Sequence, residues 1–110
     1  MKWFGLAYPI DAMMLYAIPN GANKSYAAAA KFKAEGLRKG FPDLGLAIAR
    51  RGYNGLFLEM KRTKGSDVSP EQMEYLALLN RHNYAASICR GYDEAVQRIT
   101  WYMGERSTNE

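Results

Sequence analysis

Three residues of this chain have the types and the spacing of a metal-dependent site that cleaves phosphodiester bonds: Asp43, Glu59 and Lys61. Glu59 and Lys61 lie in an apolar segment, residues 56–61, which predicts a β-strand. Because strand side chains alternate between faces, Phe57, Glu59 and Lys61 share one face of that strand. A carboxylate and an ammonium group in such a segment cost free energy unless they are paired or bind a charged ligand. This cost indicates a function for the pair.

Asp43 follows a proline at the predicted start of another strand, and a hairpin between the two strands brings it close to Glu59 and Lys61. Two carboxylates at one strand end form a hard-oxygen site suited to Mg²⁺ or Mn²⁺, to which the backbone carbonyl of Met60 adds an oxygen. Such an ion polarises a phosphate oxygen and acidifies a bound water, which Lys61 helps to hold. The alternative is an exposed Glu59–Lys61 pair on an open sheet, which contributes about 0–1 kcal/mol.

The predicted elements follow the order strand, helix, strand, strand, helix, strand, helix. The strands are predicted at residues 13–18, 44–49, 56–62 and 84–89, with a turn at 50–55. The helices are predicted at residues 26–35, 70–82 and 93–102, with Asn23 or Ser25, Ser69 and Asp93 as their N-terminal caps. The middle strands pair antiparallel, and a right-handed crossover follows them. This predicts an α/β fold with a mixed four-stranded sheet flanked by helices, in one domain over residues 1–110 with a frayed tail at 104–110.

The charge distribution favours a polyanionic partner. The chain has 110 residues and a net charge of +4, from 15 basic and 11 acidic side chains. Basic residues surround the two acids, and we interpret them as phosphate contacts, although a solvated helix face is the alternative. These residues are Lys31, Lys33, Arg38, Lys39, Arg62 and Lys64. Asn20 either lines the cleft with them or belongs only to a turn.

Several classes of protein are excluded by composition. A single cysteine, Cys89, excludes an intramolecular disulfide and a cysteine-rich zinc site. The N-terminal segment does not have the pattern of a signal peptide, and no apolar run approaches the roughly 18 residues that span a bilayer. We therefore expect a cytoplasmic protein.

From Ala17 to Tyr102 the chain resembles the virus-type replication-repair nuclease family (VRR-NUC), a branch of the PD-(D/E)xK nucleases. The resemblance is carried by residues 18–21 (IPNG), 36–44 (GLRKGFPDL), 55–61 (GLFLEMK), 69–72 (SPEQ) and 93–95 (DEA). Each motif alone is weak, but their combination and order are specific. The resemblance implies a PD-(D/E)xK core, a metal site at Asp43 and Glu59, Lys61 as the catalytic lysine, and Gln72 as the helix glutamine with Tyr75 one turn on. Stand-alone members resemble phage proteins that dimerise and cut branched DNA such as four-way (Holliday) junctions.

Two features leave alternatives open. Related nucleases often add a glutamate from a helix before the first strand, whereas the segment here holds only Asp11, with Glu35 as another candidate for a third carboxylate. Gln72 fits a capping box with Ser69 as well as a role at the edge of the site. We expect a Mg²⁺- or Mn²⁺-dependent endonuclease acting on DNA as a homodimer. The alternatives are a DNA-binding module without activity and a nuclease acting on RNA or on unbranched DNA.

Overall fold

The strands of the chain form one mixed sheet in its computed structural model, which describes residues 1–19, 30–31, 34–36 and 38–104. In these ranges the strands are, in spatial order, β1 (Leu15–Ala17), β2 (Leu44–Leu46), β3 (Leu56–Lys61) and β4 (Ala85–Arg90). β2 pairs antiparallel with both β1 and β3, whereas β3 pairs parallel with β4. The predicted fold class and the mixed sheet are therefore confirmed.

Helices flank this sheet. The described helices are α1 (Lys2–Ala7), a 3₁₀ helix (Pro9–Met14), α2 (Pro70–Arg81) and α3 (Tyr92–Met103). α2 connects β3 to the parallel strand β4, and both α2 and α3 pack on β4. Among the described residues, no helix combines the length and the apolar character needed to cross a membrane.

Alternate side chains of β3 face different surroundings, as a strand requires. Leu56 and Leu58 are buried in one cluster with Ile99 and Tyr102 of α3. Glu59, on the opposite face, contacts α2. The Tyr102 hydroxyl donates a 2.6 Å hydrogen bond to the carbonyl of Ile48, which satisfies its only donor inside the core. This core holds β3 in place while its other face remains available for a polar site.

Some predicted boundaries were wrong. The first strand is shorter than 13–18 because residues 13 and 14 belong to the 3₁₀ helix, and the second ends at Leu46 instead of residue 49. Asp93 does not cap α3: Gly91, with φ +90°, occupies the N-cap position, and Asp93 lies in the first turn. Most of the predicted helix at 26–35 and nearly all of the tail at 104–110 lie outside the described residues.

Candidate active site

The β2–β3 hairpin places Asp43 against the second half of β3. The register pairs Leu44 with Leu58, so Asp43 lies beside Glu59 where β2 begins. The backbone N–H of Asp43 donates to the carbonyl of Leu58 at 3.0 Å. Its side chain is fixed as well, because Asp43 Oδ2 accepts a 2.8 Å hydrogen bond from the N–H of Met60. Asp43 is therefore held at its backbone and at its carboxylate by the strand that carries Glu59.

Glu59 is a buried carboxylate with an incomplete set of partners. The residue is only 4% exposed. Its Oε1 accepts a 2.8 Å hydrogen bond from Gln72 Nε2 and lies 3.9 Å from Lys61 Nζ. Its buried Oε2 has no hydrogen-bond partner among the described residues. A buried carboxylate oxygen without a donor is unfavourable, so this atom is suited to binding a ligand that carries positive charge.

The electrostatics of Glu59 agree with that geometry. Burial raises the pKa of Glu59 from its ordinary value of 4.5 to about 7, and the adjacent Asp43 carboxylate adds to the increase. Lys61 acts in the opposite direction but does not cancel these two effects. Two carboxylates that disfavour each other's charge in a desolvated position are stabilised by a bound divalent cation.

Lys61 and the carbonyl of Met60 lie at the same end of β3. The Lys61 side chain is 14% exposed, so its ammonium group is largely enclosed beside Glu59. The N–H of Met60 points toward Asp43, and the N–H and C=O of one strand residue point to the same side. The Met60 carbonyl is therefore directed past the start of β2, toward Asp43.

Gln72 serves both of the purposes that its sequence position allows. The predicted capping box is confirmed: Ser69 Oγ accepts from the Gln72 N–H at 3.1 Å, and Gln72 Oε1 accepts from the Ser69 N–H at 2.9 Å. The remaining end of the amide, Nε2, donates to Glu59. Because Oε1 is occupied by the cap, the amide is oriented with its NH₂ group toward the carboxylate.

The loop before Asp43 packs closely on the start of α2. At Gly40, whose φ is +90°, a Cβ atom would lie 2.7–2.9 Å from atoms of Glu71 and Gln72, two of them backbone atoms. Next to it, the ring of Phe41 contacts Tyr75 with a centroid separation of 5.2 Å. This approach requires glycine, and it fixes the distance between the Asp43 loop and the Gln72 helix. The sequence shows a glycine before Pro42, which indicates a turn, but it does not show that this turn packs on the start of α2.

The residues predicted to contact phosphates lie on the protein surface where they are described. Lys31, Arg38, Lys39, Arg62 and Lys64 are exposed. The Lys39 ammonium lies 3.8 Å from Glu71 at the start of α2, and Arg62 directly follows Lys61. Lys33 and Asn20 lie outside the described residues. The described basic residues are therefore accessible to a polyanion, and none of them is buried with Glu59.

A third carboxylate does not join the first two in the part of the chain that the structure describes. No group of three acidic, cysteine or histidine side chains is arranged there to hold a metal ion. Asp11 lies in the 3₁₀ helix, and Glu35 is exposed. Asp43 and Glu59 are therefore the carboxylates that the described residues bring together at this site.

Arg90 is a neighbour of the site that sequence analysis missed. It pairs in register with Lys61, and its Nη1 donates to the carbonyl of Ser66 at 2.8 Å. The N–H of Gly91 donates to the Lys61 carbonyl at 2.9 Å. These bonds fix the end of β3 and the loop after it. Only the parallel register places Arg90 there, and no local sequence signal gives that register.

Comparisons with known proteins agree with this architecture. The family model described as the VRR-NUC domain matches residues 12–93, a range that includes Asp43, Glu59, Lys61 and Gln72. A solved structure described as a VRR_NUC domain protein is similar to the chain, with a TM-score of 0.73 and 33% sequence identity. The similarity covers 83% of this chain and 68% of that one. The search of curated proteins gave no match.

Proposed function

The chain belongs to the VRR-NUC family, and from that premise we propose that it is a Mg²⁺- or Mn²⁺-dependent endonuclease that hydrolyses phosphodiester bonds of branched DNA. Membership makes it a nuclease-type domain. The metal, the endonucleolytic cut and the branched substrate belong to the proposal. The observation that carries it is the buried Glu59 Oε2, which lacks a donor among the described residues and lies in the carboxylate adjacent to Asp43.

The residues of the site fit a hard divalent cation. Asp43 and Glu59 would supply carboxylate oxygens, and the Met60 carbonyl, directed toward Asp43, a neutral one. A bound Mg²⁺ or Mn²⁺ supplies Lewis acidity to a phosphate oxygen and makes a bound water more acidic. Gln72 holds Glu59 Oε1, so that Oε2 is the atom directed to a ligand. The donor set of oxygen atoms without sulfur or imidazole favours these ions over zinc.

Lys61 is the residue of the chain that acts on the reacting phosphate in this proposal. Its side chain is 14% exposed and its ammonium nitrogen lies 3.9 Å from Glu59 Oε1, so the ammonium group is held beside the carboxylates. In that position it orients the attacking water or stabilises negative charge that develops on the phosphoryl oxygens. The exposed Arg38, Lys39, Arg62 and Lys64 contact phosphates farther along the strand.

The substrate and the cofactor are tested together. Labelled four-way junction, linear duplex and single-stranded DNA, with matched RNA, are incubated with the protein in Mg²⁺, in Mn²⁺ and in EDTA. We expect cleavage of the junction with either ion and none in EDTA. Asp43→Asn should abolish cleavage and keep binding. A wild-type protein that binds DNA but cuts nothing is a binding module, and preferred cleavage of RNA or of unbranched duplex contradicts the substrate that we propose.

We also propose that the protein acts as a homodimer, because a junction is resolved by two cuts and the described residues of one chain form one such site. Exposed apolar side chains of the N-terminal segment support this, since Ile10 is 84% and Met13 is 94% exposed. Light scattering should give twice the chain mass, and Ile10→Glu should shift it to the monomer while Leu78→Glu, an exposed position on α2, does not. A monomer that cuts both strands symmetrically would contradict this.

A further inference from the structure

Tyr16, an exposed aromatic residue of β1, lies on the same face of the sheet as the carboxylates. Tyr16 pairs directly with Gly45, and cross-strand partners place their side chains on one face. Gly45 and Asp43 are two positions apart on one chain segment, so they share that face as well. Two residues of a strand span about 7 Å, which places Tyr16 next to the proposed site.

The ring of Tyr16 lies over the backbone of Gly45. A Cβ atom at Gly45 would meet Tyr16 Cζ at 2.5 Å, Oη at 2.6 Å and Cε2 at 2.8 Å. The ring therefore occupies the space that any other residue at position 45 would fill with its side chain. The hydroxyl end of the ring is packed against β2 in this way. The residue nevertheless remains 42% exposed, so part of it is open to solvent.

The helices leave this half of the sheet open in the part of the chain that the structure describes. α2 packs on β4 and reaches Glu59 through Gln72, but it makes no extended contact with β1 or β2. The described elements in extended contact with β1 are β2 and the 3₁₀ helix. A partly exposed aromatic side chain thus lies on the same sheet face as the carboxylates, and among the described helices only the 3₁₀ helix is in extended contact with its strand.

We propose that Tyr16 stacks on an unpaired base of the nucleotide next to the cleaved bond. This rests on the proposed nuclease function and deepens it, because it identifies the substrate class as DNA with an unstacked nucleotide at the cleavage position. Aromatic rings on open sheet faces bind nucleic acids by stacking, since every base offers a π-face. A fully paired duplex keeps its bases stacked inside and cannot use such a ring. Gly45 is the positioning residue, because only a residue without a side chain leaves room for the end of the ring.

The chain offers a matched set of variants for the test. Tyr16→Phe keeps the aromatic face, Tyr16→Leu removes it, and Gly45→Ala leaves Tyr16 unchanged but forces its ring to swing away. Ring displacement is the expected response to Gly45→Ala because the atoms in conflict are the far end of a side chain. Thermal unfolding of each variant establishes that it is folded before it is compared.

Base stacking is measured with 2-aminopurine placed in turn at each position around the branch of a junction, with all variants built on Asp43→Asn to prevent cleavage. We expect quenching at one position with Asp43→Asn alone and with added Tyr16→Phe. Tyr16→Leu and Gly45→Ala should each remove the quenching and weaken binding about 5- to 100-fold. The two combined should weaken binding no more than Tyr16→Leu alone, because both act on one contact.

In the cleaving protein, Tyr16→Leu should raise KM with little change in kcat. If the quenching and the DNA affinity are unchanged in Tyr16→Leu, the inference is overturned. It is also overturned if Tyr16→Phe binds DNA as weakly as Tyr16→Leu does, because the contact is then made by the hydroxyl and not by the ring. If the wild type cleaves DNA while Tyr16→Leu behaves identically, only this inference fails. If the wild type neither binds nor cleaves DNA, the proposed function fails with it.

Discussion

Gln72 and Glu59 lie 13 positions apart in the chain and are joined by a 2.8 Å hydrogen bond between the amide nitrogen and the carboxylate. The other end of the same amide closes the capping box of α2 with Ser69. One side chain therefore begins the helix and orients the carboxylate. Because Gln72 makes both bonds, a comparison of variants at Ser69 and Gln72 can separate its contribution to helix stability from its contribution to cleavage.

Ser69→Ala and Gln72→Ala form the first pair. Each removes one side-chain bond of the capping box, which should lower the free energy of unfolding by about 1 kcal/mol, and Gln72→Ala loses more because it also removes the bond to buried Glu59. Ser69→Ala leaves the Gln72–Glu59 bond in place, so cleavage should stay within a few-fold of the wild type. Gln72→Ala frees Glu59 and should lower kcat at least tenfold. Equal cleavage rates for the two variants would show that Gln72 serves only as a cap. Urea unfolding and single-turnover cleavage provide the two measurements.

Glu59→Gln should stabilise the protein in EDTA, because it removes a buried charge whose Oε2 lacks a donor among the described residues. The pKa of Glu59 is raised in the folded state to about 7 from an ordinary 4.5, so the folded form binds the proton more tightly. Wild-type stability should therefore fall as pH rises from about 4.5 to about 7, and the advantage of Glu59→Gln should grow over that window to about 1–3 kcal/mol.

Thermal unfolding between pH 4.5 and pH 8 measures this difference. Glu74→Gln is the control, since Glu74 is exposed on α2 and should give a constant offset. An advantage of Glu59→Gln that is independent of pH would contradict the assignment of the buried charge. The same variant should be inactive in Mg²⁺ at every pH.

Gly40→Ala should lower stability and cleavage by more than the strain of alanine at a positive φ accounts for. Gly40 and Gly52 both have positive φ, at +90° and +81°, so alanine is strained by about 1–2 kcal/mol at either position. Only at Gly40 would the new Cβ also collide with the backbone of α2, because nothing lies within 4 Å at Gly52. We expect Gly40→Ala to lose more stability than Gly52→Ala and to lose cleavage as well. Equal losses would mean that the Asp43 loop does not depend on this approach.

Lys61→Met should lower kcat about 10²- to 10³-fold with little change in DNA affinity, because it removes a charge that acts on the reacting phosphate. Lys64→Met removes a charge from an exposed position three residues later and should instead weaken binding in a salt-dependent way. Cleavage at saturating enzyme and filter binding at several salt concentrations separate these effects. A Lys61→Met protein with wild-type kcat would exclude Lys61 from the chemical step.

Local sequence signals were sufficient for some elements and insufficient for others. Ser69, Pro70 and Gln72 act within one helical turn, so the start of α2 was predictable. Asp93 had the residue type of a cap, but the chain leaves β4 directly into α3 through Gly91, and Glu94 accepts the 2.9 Å hydrogen bond from the N–H of Arg90. The end of β4 at Arg90 thus set the start of α3, and the residue type of Asp93 did not.

Some features of the site could be predicted from local sequence, and others could not. The alternation of β3 predicted that Glu59 and Lys61 share a face, and the hairpin predicted the approach of Asp43. The bond from the Met60 N–H to Asp43, which fixes that carboxylate, depends on the register of two strands and has no sequence signal. The contact of Tyr16 with Gly45 depends on register for the same reason.

The most direct test of the account is a Mn²⁺ titration followed by electron paramagnetic resonance, with the signal of the free ion as the measure of binding. We predict one ion per wild-type chain, with a dissociation constant below the concentration that supports half-maximal cleavage. Asp43→Asn and Glu59→Gln should each remove that binding, whereas Glu74→Gln should not. A wild-type protein that cleaves DNA without binding Mn²⁺, or an Asp43→Asn/Glu59→Gln protein that binds it unchanged, would contradict the account.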